Sequence, residues 1–373
     1  MRIILLILFS GLSLLSSCFL PKTLYYQYPG IYDYQIFKNR IINSGNAQPW
    51  ILSEKYNKTS FPDTYLGDIT AIQTTAYLVI RNDSLLFEQY WSDGGRDVLS
   101  NSFSMAKSFV AFLIGFAIAD GYIKNVDQYV HEFIPWFKKK DKEKVKIKDL
   151  LTMSSGIKWN ESYSGAFGPT TRAYYGRNLE KMIKHLKQEY DPGINYRYQS
   201  IDTQILALII EKATGKTMSE YCSEKLWIPI GAEHAALWCL DRKNGMEKAY
   251  CCFNATARDF ARIGLFCLHN GEWKGKQLLS EEYIKSCFTP AKYLNDNTGN
   301  PLSFYGYQCW TTIHEDIKVN MAIGLGGQYI IIIPEKNIVI VRLGHKRSQK
   351  STGIFPSELY SMIRAGLDIA SQN

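Results

Sequence analysis

Charged residues are scarce in this sequence, and neither sign dominates. Asp, Glu, Lys and Arg make up 21% of 373 residues, 43 basic against 35 acidic, for a formal net charge of +8. The excess is mild for the length and excludes the strongly basic balance of a nucleic-acid protein. The densest basic run, Lys138, Lys139, Lys140, Lys142, Lys144, Lys146 and Lys148, is interleaved with Asp141, Glu143 and Asp149 and has no aromatic stacking platform. It reads as a solvated face, and no nucleic-acid partner is expected. Metal-site spacings are missing too. His131, His185, His234, His269, His314 and His345 form no His-x-His or His-Glu-x-x-His pattern, and no two cysteines stand as Cys-x-x-Cys. Neither a metal nor a cofactor is expected. Internal repeats and low-complexity linkers are absent, which removes solenoid architectures. What the chain does have is apolar content, 46% hydrophobic and 14% aromatic, enough to fill a core and to exclude disorder. The length exceeds that of a usual compact domain, so one large domain or an α/β core with a sizeable insertion is expected.

The first eighteen residues carry an address. Arg2 is a short positive region, Ile3 through Leu15 is apolar but too short to span a bilayer comfortably, and Leu15-Ser16-Ser17-Cys18 follows. This stretch resembles a bacterial lipoprotein lipobox. The resemblance implies removal of residues 1–17, lipidation of Cys18 and membrane anchoring of an otherwise soluble body, with residues 18–27 as tether. Inner-membrane retention signals usually carry Asp where Phe19 stands, so the expectation is the outer membrane of the cell envelope, facing periplasm or exterior. A plain secretory signal with a chance cysteine is the alternative. Seven cysteines remain after Cys18, an odd number, and most read as small buried hydrophobes. An oxidising periplasm would permit a bridge, with Cys239 and either Cys251 or Cys252 as candidates across a short loop.

The two ends of the body read as strands. Ala76–Ile80, a polar turn at 81–84 and Leu85–Tyr90 form a hairpin pattern; Gln328–Pro334, a turn at 335–337 and Ile338–Leu343 form another, whose unbroken Ile/Val content suits strands buried on both faces. A helix from about Pro356 to Ala370 closes the chain. The middle, about 122–300, is mainly helical. Ser200 can cap a helix ended by Gly215, Thr217 and Glu220 make a capping box, and Thr256 and Ser280 start two more. The order predicts an α/β (α+β) fold in residues 28–373: an antiparallel sheet from both chain ends, flanked by helices, around a helical insertion, with a cleft between them.

Three short patterns carry chemistry. Ser104-Met-Ala-Lys107 precedes an apolar run, Ser108–Ala119, that must be a central helix ended by Asp120-Gly121. Residues i and i+3 share a helical face, so the Lys107 amine can approach the Ser104 hydroxyl at the helix N-terminus, and desolvation disfavours the ammonium. The bare Ser-x-x-Lys pattern is expected about twice by chance, and Ser155-Gly-Ile-Lys158 is read as the decoy because Gly156 places it at a helix end. The second pattern is Tyr198-Gln-Ser200, on a turn. A neighbouring ammonium should favour the ionised phenol, so that Lys107 and Tyr198 share one proton and activate Ser104, while Ser200 donates to a substrate carbonyl. The third is Ala322-Ile-Gly-Leu-Gly-Gly-Gln328, where glycines admit a close backbone approach and an N–H can pair with that of Ser104 to hold an oxyanion.

Taken in order, with 94 residues from Ser104 to Tyr198 and 124 from Tyr198 to Ala322, these motifs resemble the serine β-lactamase and penicillin-binding-protein superfamily, on its class C β-lactamase-like side. Leu150–Gly156, Ala257–Gly264 and Tyr305-Gly-Tyr307 also look familial, and Gly324–Gln328 with Tyr305–Trp310 are most similar to the aminohexanoate-oligomer hydrolase branch. The resemblance implies Ser104 as nucleophile, Lys107 as its partner, Tyr198 as general base, Ser200 in the place usually held by Asn, and Gly324 with the Leu325 N–H at the oxyanion site. Two departures stand out. Ala322 replaces the usual Lys or His, which makes efficient penicillin hydrolysis doubtful, and Ser200 has one amide donor fewer, which shifts the expectation from amides toward esters. The Tyr-rich stretch 159–176 is expected as a surface loop at the cleft, from which Tyr163 or Tyr174 touches the scissile group. A serine hydrolase acting on small or peptide-like esters or amides is therefore expected, with a weak D,D-peptidase or β-lactamase and a catalytically silent binding protein as alternatives. The oligomeric state stays open.

Overall fold

The computed structural model describes residues 19–139, 141–163 and 167–372. Cys18 and the apolar segment before it, and hence the expected lipidation site, lie outside the described residues. The segment read as a tether contains a helix, Leu20–Tyr26, that packs on the helix Pro169–Tyr175, with the Tyr26 and Tyr175 rings stacked 6.4 Å apart. The core clusters are built from Ile42 onward, with Phe19 packed against the first of them, so a chain beginning at Phe19 carries all the described elements.

The main sheet has six antiparallel strands in the order Ser84–Tyr90, Thr74–Arg81, Ile338–Gly344, Gln328–Ile333, Ile317–Gly324 and Trp310–His314. The two ends of the chain thus pair directly, Val79 opposite Ile340. Both hairpins form as the sequence predicts, with Asn82 and Asp83 left-handed in the first turn and Asn337 in the second. The outer two strands were not legible. Ile-Lys-Val-Asn-Met-Ala-Ile-Gly has no continuous β-branched run, and the Oδ1 of its buried Asn320 accepts from Thr311 Oγ1 on the neighbouring strand.

Period-two alternation explains the unbroken apolar strands. Leu78, Ile80, Ile330, Ile332, Val339 and Val341 enter one core cluster, while Tyr77, Val79, Ile331, Ile333, Ile338 and Ile340 enter another. The second is covered by the helix Glu358–Ser371, with Asp63–Ala71 beside it. The first is covered by Ala257–Leu268, which lies so close that a Cβ on Gly264 would stand 2.3 Å from Val339 Cγ1. Behind it runs the helix Ala106–Ala119, buried from Ala106 through Ala117. Each of its large apolar side chains contributes about 1.5–3 kcal/mol by burial, which makes this helix a rigid mount.

The insertion is not wholly helical. Ala236–Leu240 and Phe253–Ala255 join Lys38–Ile42 and Ser100–Asn101 in a small sheet. Its strand Ser100–Asn101 leads straight into the turn that carries Ser104. The helices Ser200–Thr214, Met218–Cys222, Ala257–Leu268 and Glu281–Cys287 match the sequence expectation, including the Thr217/Glu220 capping box and the Thr256 and Ser280 caps. The stretch 159–176, expected as a loop, contains the Pro169–Tyr175 helix, for which Pro169 supplies the preset first φ. Among the described residues no helix is long and apolar enough to cross a membrane.

Candidate active site

Ser104 sits on a single 3₁₀ turn, Phe103–Met105, between the strand Ser100–Asn101 and the buried helix Ala106–Ala119. Phe103 takes φ +43°, a conformation that bulky L-residues rarely adopt. Asn101 holds it there: its Oδ1 accepts from Phe103 N at 2.9 Å and from Cys252 N at 3.0 Å, while Ser102 N donates to Phe253 O at 2.8 Å. A tightly held turn thus presents the hydroxyl at the mouth of the helix. One turn on, Lys107 is 1% exposed, and its Nζ donates to Ser104 Oγ and to the Tyr250 carbonyl, both at 2.9 Å. Burial pushes its pKa from the usual 10.5 down to about 8, and the charge of Glu161 offsets part of the drop. The amine can therefore be neutral near physiological pH, as the sequence predicts.

Tyr198 is brought to the same point. Its hydroxyl is hydrogen-bonded to Ser104, its ring packs on Trp310 at 5.5 Å and edge-on to Tyr305 at 6.2 Å, and the Lys107 ammonium lies 5.0 Å from its centroid. The expected fall in the phenol's pKa is not what the site produces. Burial raises it above the ordinary value of 10, the interaction with Ser104 and the field of Arg347 offset only part of this, and Glu161 pushes it further up. Desolvation wins because the ring is packed among the aromatic neighbours Tyr305 and Trp310. Tyr198 holds its proton in the free protein.

Ser200 does not act as predicted either. It is the first residue of its helix rather than the cap, and its hydroxyl is already used, donating to Glu161 Oε1 at 2.6 Å. A hydroxyl has one proton to give, so none is left for a substrate carbonyl. Glu161 closes the helix end instead, accepting from Ser200 N at 2.7 Å, from Trp159 Nε1 at 2.7 Å and from the Tyr163 hydroxyl at 2.6 Å. This carboxylate was missed by sequence reasoning. It lies inside the stretch singled out at 159–176, but no spacing connects it to Ser200. Tyr163 lines the pocket with Ser104 and Ser200. Tyr174 lines it too, but its hydroxyl donates to Asp33 Oδ2 at 2.7 Å and is committed to the scaffold.

The third motif forms the opposite wall. Ala322–Gly324 ends a strand, and a Cβ on Gly324 would stand 2.2 Å from Ser102 O, so only glycine lets this strand run against the nucleophile turn. Leu325 then lines the cavity with Ser104. Gly326 and Gly327 follow at φ +72° and +75°. The fully buried Arg342 fixes this turn by donating to Gly326 O at 2.7 Å and Gly327 O at 2.8 Å, and Gln328 Nε2 donates to Leu325 O at 3.1 Å. Ala322 is buried and offers no charge, but Arg347, on the loop after the strand Ile338–Gly344, supplies a positive field at Tyr198. The cavity measures about 50 Å³. Gln27 and Pro29, from the N-terminal segment, complete its wall.

The remaining candidates separate cleanly. Ser155 is buried and donates to Asp202 Oδ1 at 2.6 Å, whereas Lys158 points to solvent, so that Ser-x-x-Lys pair is indeed a decoy. The bridge for which Cys239 was a candidate does not form. Cys251 and Cys252 bond to each other, while Cys239 is free and buried. Cys239 N donates to Cys252 O at 3.0 Å, so the two segments meet through their backbones, and Cys239 Sγ accepts from Asn254 Nδ2 at 3.5 Å. The bridge lies at the cavity, which Cys251 lines, and directly follows Tyr250, the acceptor for Lys107. Among the described residues no cluster of His, Cys, Asp or Glu is arranged as a metal site.

The β-lactamase family profile matches residues 63–353. The chain belongs to the β-lactamase family. It is a serine hydrolase of the β-lactamase and penicillin-binding-protein fold. The 6-aminohexanoate-dimer hydrolase of Paenarthrobacter ureafaciens is 27% identical over 286 residues, 72% of each chain. A solved Bacillus anthracis protein, provisionally named a 6-aminohexanoate-dimer hydrolase, superposes with a TM-score of 0.76 at 23% identity, covering 94% of each chain. The octameric penicillin-binding-protein homologue of Pyrococcus abyssi gives 0.64 at 19% identity, over 82% of this chain and 76% of that one.

Within this β-lactamase-family protein Glu161 makes a testable electrostatic contribution. Its charge raises the Lys107 pKa, so Glu161→Gln should move the acid limb of the pH–rate profile to lower pH while keeping the helix end hydrogen-bonded. The profile of kcat/KM between pH 5 and pH 10 measures this, and an unmoved limb would show that the carboxylate is structural only.

Proposed function

We propose that the protein is a class C β-lactamase-like esterase or amidase, lipid-anchored at Cys18 to the cell envelope, that forms an acyl-enzyme on Ser104. The observation that carries the catalytic part is the buried Lys107 amine 2.9 Å from Ser104 Oγ, with its pKa brought down to about 8. Neutral Lys107 takes the Ser104 proton as Oγ attacks the substrate carbonyl, and the N–H groups of Ser104 and Leu325 hold the oxyanion. The leaving alkoxide or amine takes its proton from the Tyr198 hydroxyl, which regains one from Lys107. Water then attacks the ester on Ser104, delivering a proton through Tyr198, and the acid product leaves with Ser104 restored. Esters are favoured over amides, because Ser200 spends its only proton on Glu161 and the carbonyl loses a donor.

Exposure to a fluorophosphonate, followed by intact-protein mass and peptide mapping, tests this reading. One adduct on Ser104, absent in Ser104→Ala, is expected, with turnover of short-chain esters faster than of the matched amides. No adduct on folded protein would leave a ligand-binding protein of the same fold, and a long-lived penicillin adduct would point to a D,D-peptidase, the activity named for Salmonella relatives 26% identical over 181 residues. For the anchor, Cys18→Ala is expected to release the protein from the membrane fraction when the membranes are washed at high salt, which leaves a lipid anchor in place.

A further inference from the structure

A groove of about 610 Å³ runs along the helices Pro169–Tyr175 and Leu179–Lys184, outside the catalytic cavity. Lys158, Arg172, Arg177, Lys181, His185 and Lys187 line it, all of them exposed, and no carboxylate does. The carboxylate of Glu189 lies 3.9 Å from Lys158 Nζ but is shared with Arg197 at 3.5 Å, so it leaves the positive excess in place. A lining of this kind selects an anionic surface.

Two further observations say which one. Phe19, the residue after Cys18, lines the same groove, and the Arg172 guanidinium lies 6.0 Å from its ring. Large side chains also remain in solvent nearby: Leu24 is 69% and Tyr25 81% exposed on the first helix, and Phe167, two residues before the groove residue Pro169, is 73% exposed. Aromatic and leucine side chains beside lysines and arginines suit the headgroup layer of a bilayer, with rings at the interface and cations against phosphates. A second basic cleft also has exposed Tyr129, Ile194 and Tyr293 beside its lysines, but Phe19 does not line it and its charge is largely neutralised. Its Lys146 and Lys148 pair with Asp127 at 3.5 and 3.2 Å, and Asp149 and Asp191 line it.

We infer that this groove docks the protein onto anionic phospholipid headgroups, holding the body flat on the membrane that the Cys18 anchor would enter. The inference takes its orientation from the lipid-anchor reading, but it is tested without the lipid. Protein beginning at Phe19 is sedimented with phosphatidylcholine vesicles and with vesicles containing 30% phosphatidylglycerol. A basic group near an anionic surface contributes about fivefold in partitioning. The triple variant Lys158→Ala, Lys181→Ala, Lys187→Ala is therefore expected to bind the anionic vesicles about a hundredfold more weakly, and Lys144→Ala, Lys146→Ala, Lys148→Ala to bind like the parent. Binding by the parent should also fall steeply with added salt. Equal binding to both vesicle types, equal losses in the two variants, or unchanged binding in the groove variant would overturn the inference. Hydrolysis of a soluble ester, unchanged in both variants, confirms that they are folded and separates failure of docking from failure of the hydrolase reading. Membrane fractionation of Cys18→Ala after the high-salt wash judges the anchor independently.

Discussion

Ser104→Ala is expected to lower kcat/KM for a turned-over ester by about 10⁴-fold or more, and Lys107→Ala by a comparable factor, with the double variant no worse than either alone. The reason lies in how the site is built. Ser104 Oγ is hydrogen-bonded to the Lys107 amine and to the Tyr198 hydroxyl, and of the two it is the amine, brought down to about 8, that can stand without its proton near neutral pH. Remove the hydroxyl and there is nothing to acylate; remove the amine and the hydroxyl stays protonated, a weak nucleophile at neutral pH. Groups that act as one unit lose their whole effect at the first substitution. Tyr198→Phe removes the proton carrier to the leaving group and should cost about 10²–10⁴-fold. Steady-state kinetics on one activated ester measure all four variants, and additive losses in the double variant would show that Ser104 and Lys107 work separately.

The second large effect is opposite in sign for stability and for activity. Above pH 10.5, the ordinary lysine value, Lys107 is neutral in folded and unfolded chains alike, and its burial carries no electrostatic cost. As the pH falls from 10.5 to about 8, the unfolded chain takes up a proton that the folded one refuses, and stability is lost. Below 8 both states are protonated and the deficit stays constant at roughly 3 kcal/mol. Lys107→Met, close in shape and without charge, should therefore stabilise the fold at pH 7 by roughly 1–3 kcal/mol while abolishing turnover. Urea denaturation at pH 7 and at pH 10.5 checks this, the gain shrinking at the higher pH. A gain independent of pH would mean that packing, not charge, is its source. In the parent the same titration sets the acid limb of kcat/KM, with activity rising as pH rises through about 8.

The parts legible from sequence are those governed by local periodicity. Ser104 and Lys107 are three residues apart on a helix, and the Ile/Val strands alternate between two faces, so neighbours in sequence settle both. What escaped depends on distant partners. Glu161 caps a helix that begins 39 residues later, a pairing without local signature. The Tyr198 phenol was read by charge alone, but burial among Tyr305 and Trp310 decides the direction of its shift. Arg342 was the most readable of the missed residues: a lone cation inside Val-Ile-Val-Arg-Leu has to find acceptors if the strand is buried. It finds them on the turn beside Leu325. The cysteine bridge was missed because a loop-spanning pair was sought where adjacent residues pair.

The strand order has a consequence for how the chain is made. Ile338–Gly344 lies between Thr74–Arg81 and Gln328–Ile333, so the first hairpin has no inner neighbour until more than two hundred further residues have been synthesised. Until then its apolar faces are open, and closure waits on contacts of very large sequence separation, which are slow to form. During synthesis the nascent chain therefore cannot complete its main sheet until the strand Ile338–Gly344 is free to insert between its two neighbours.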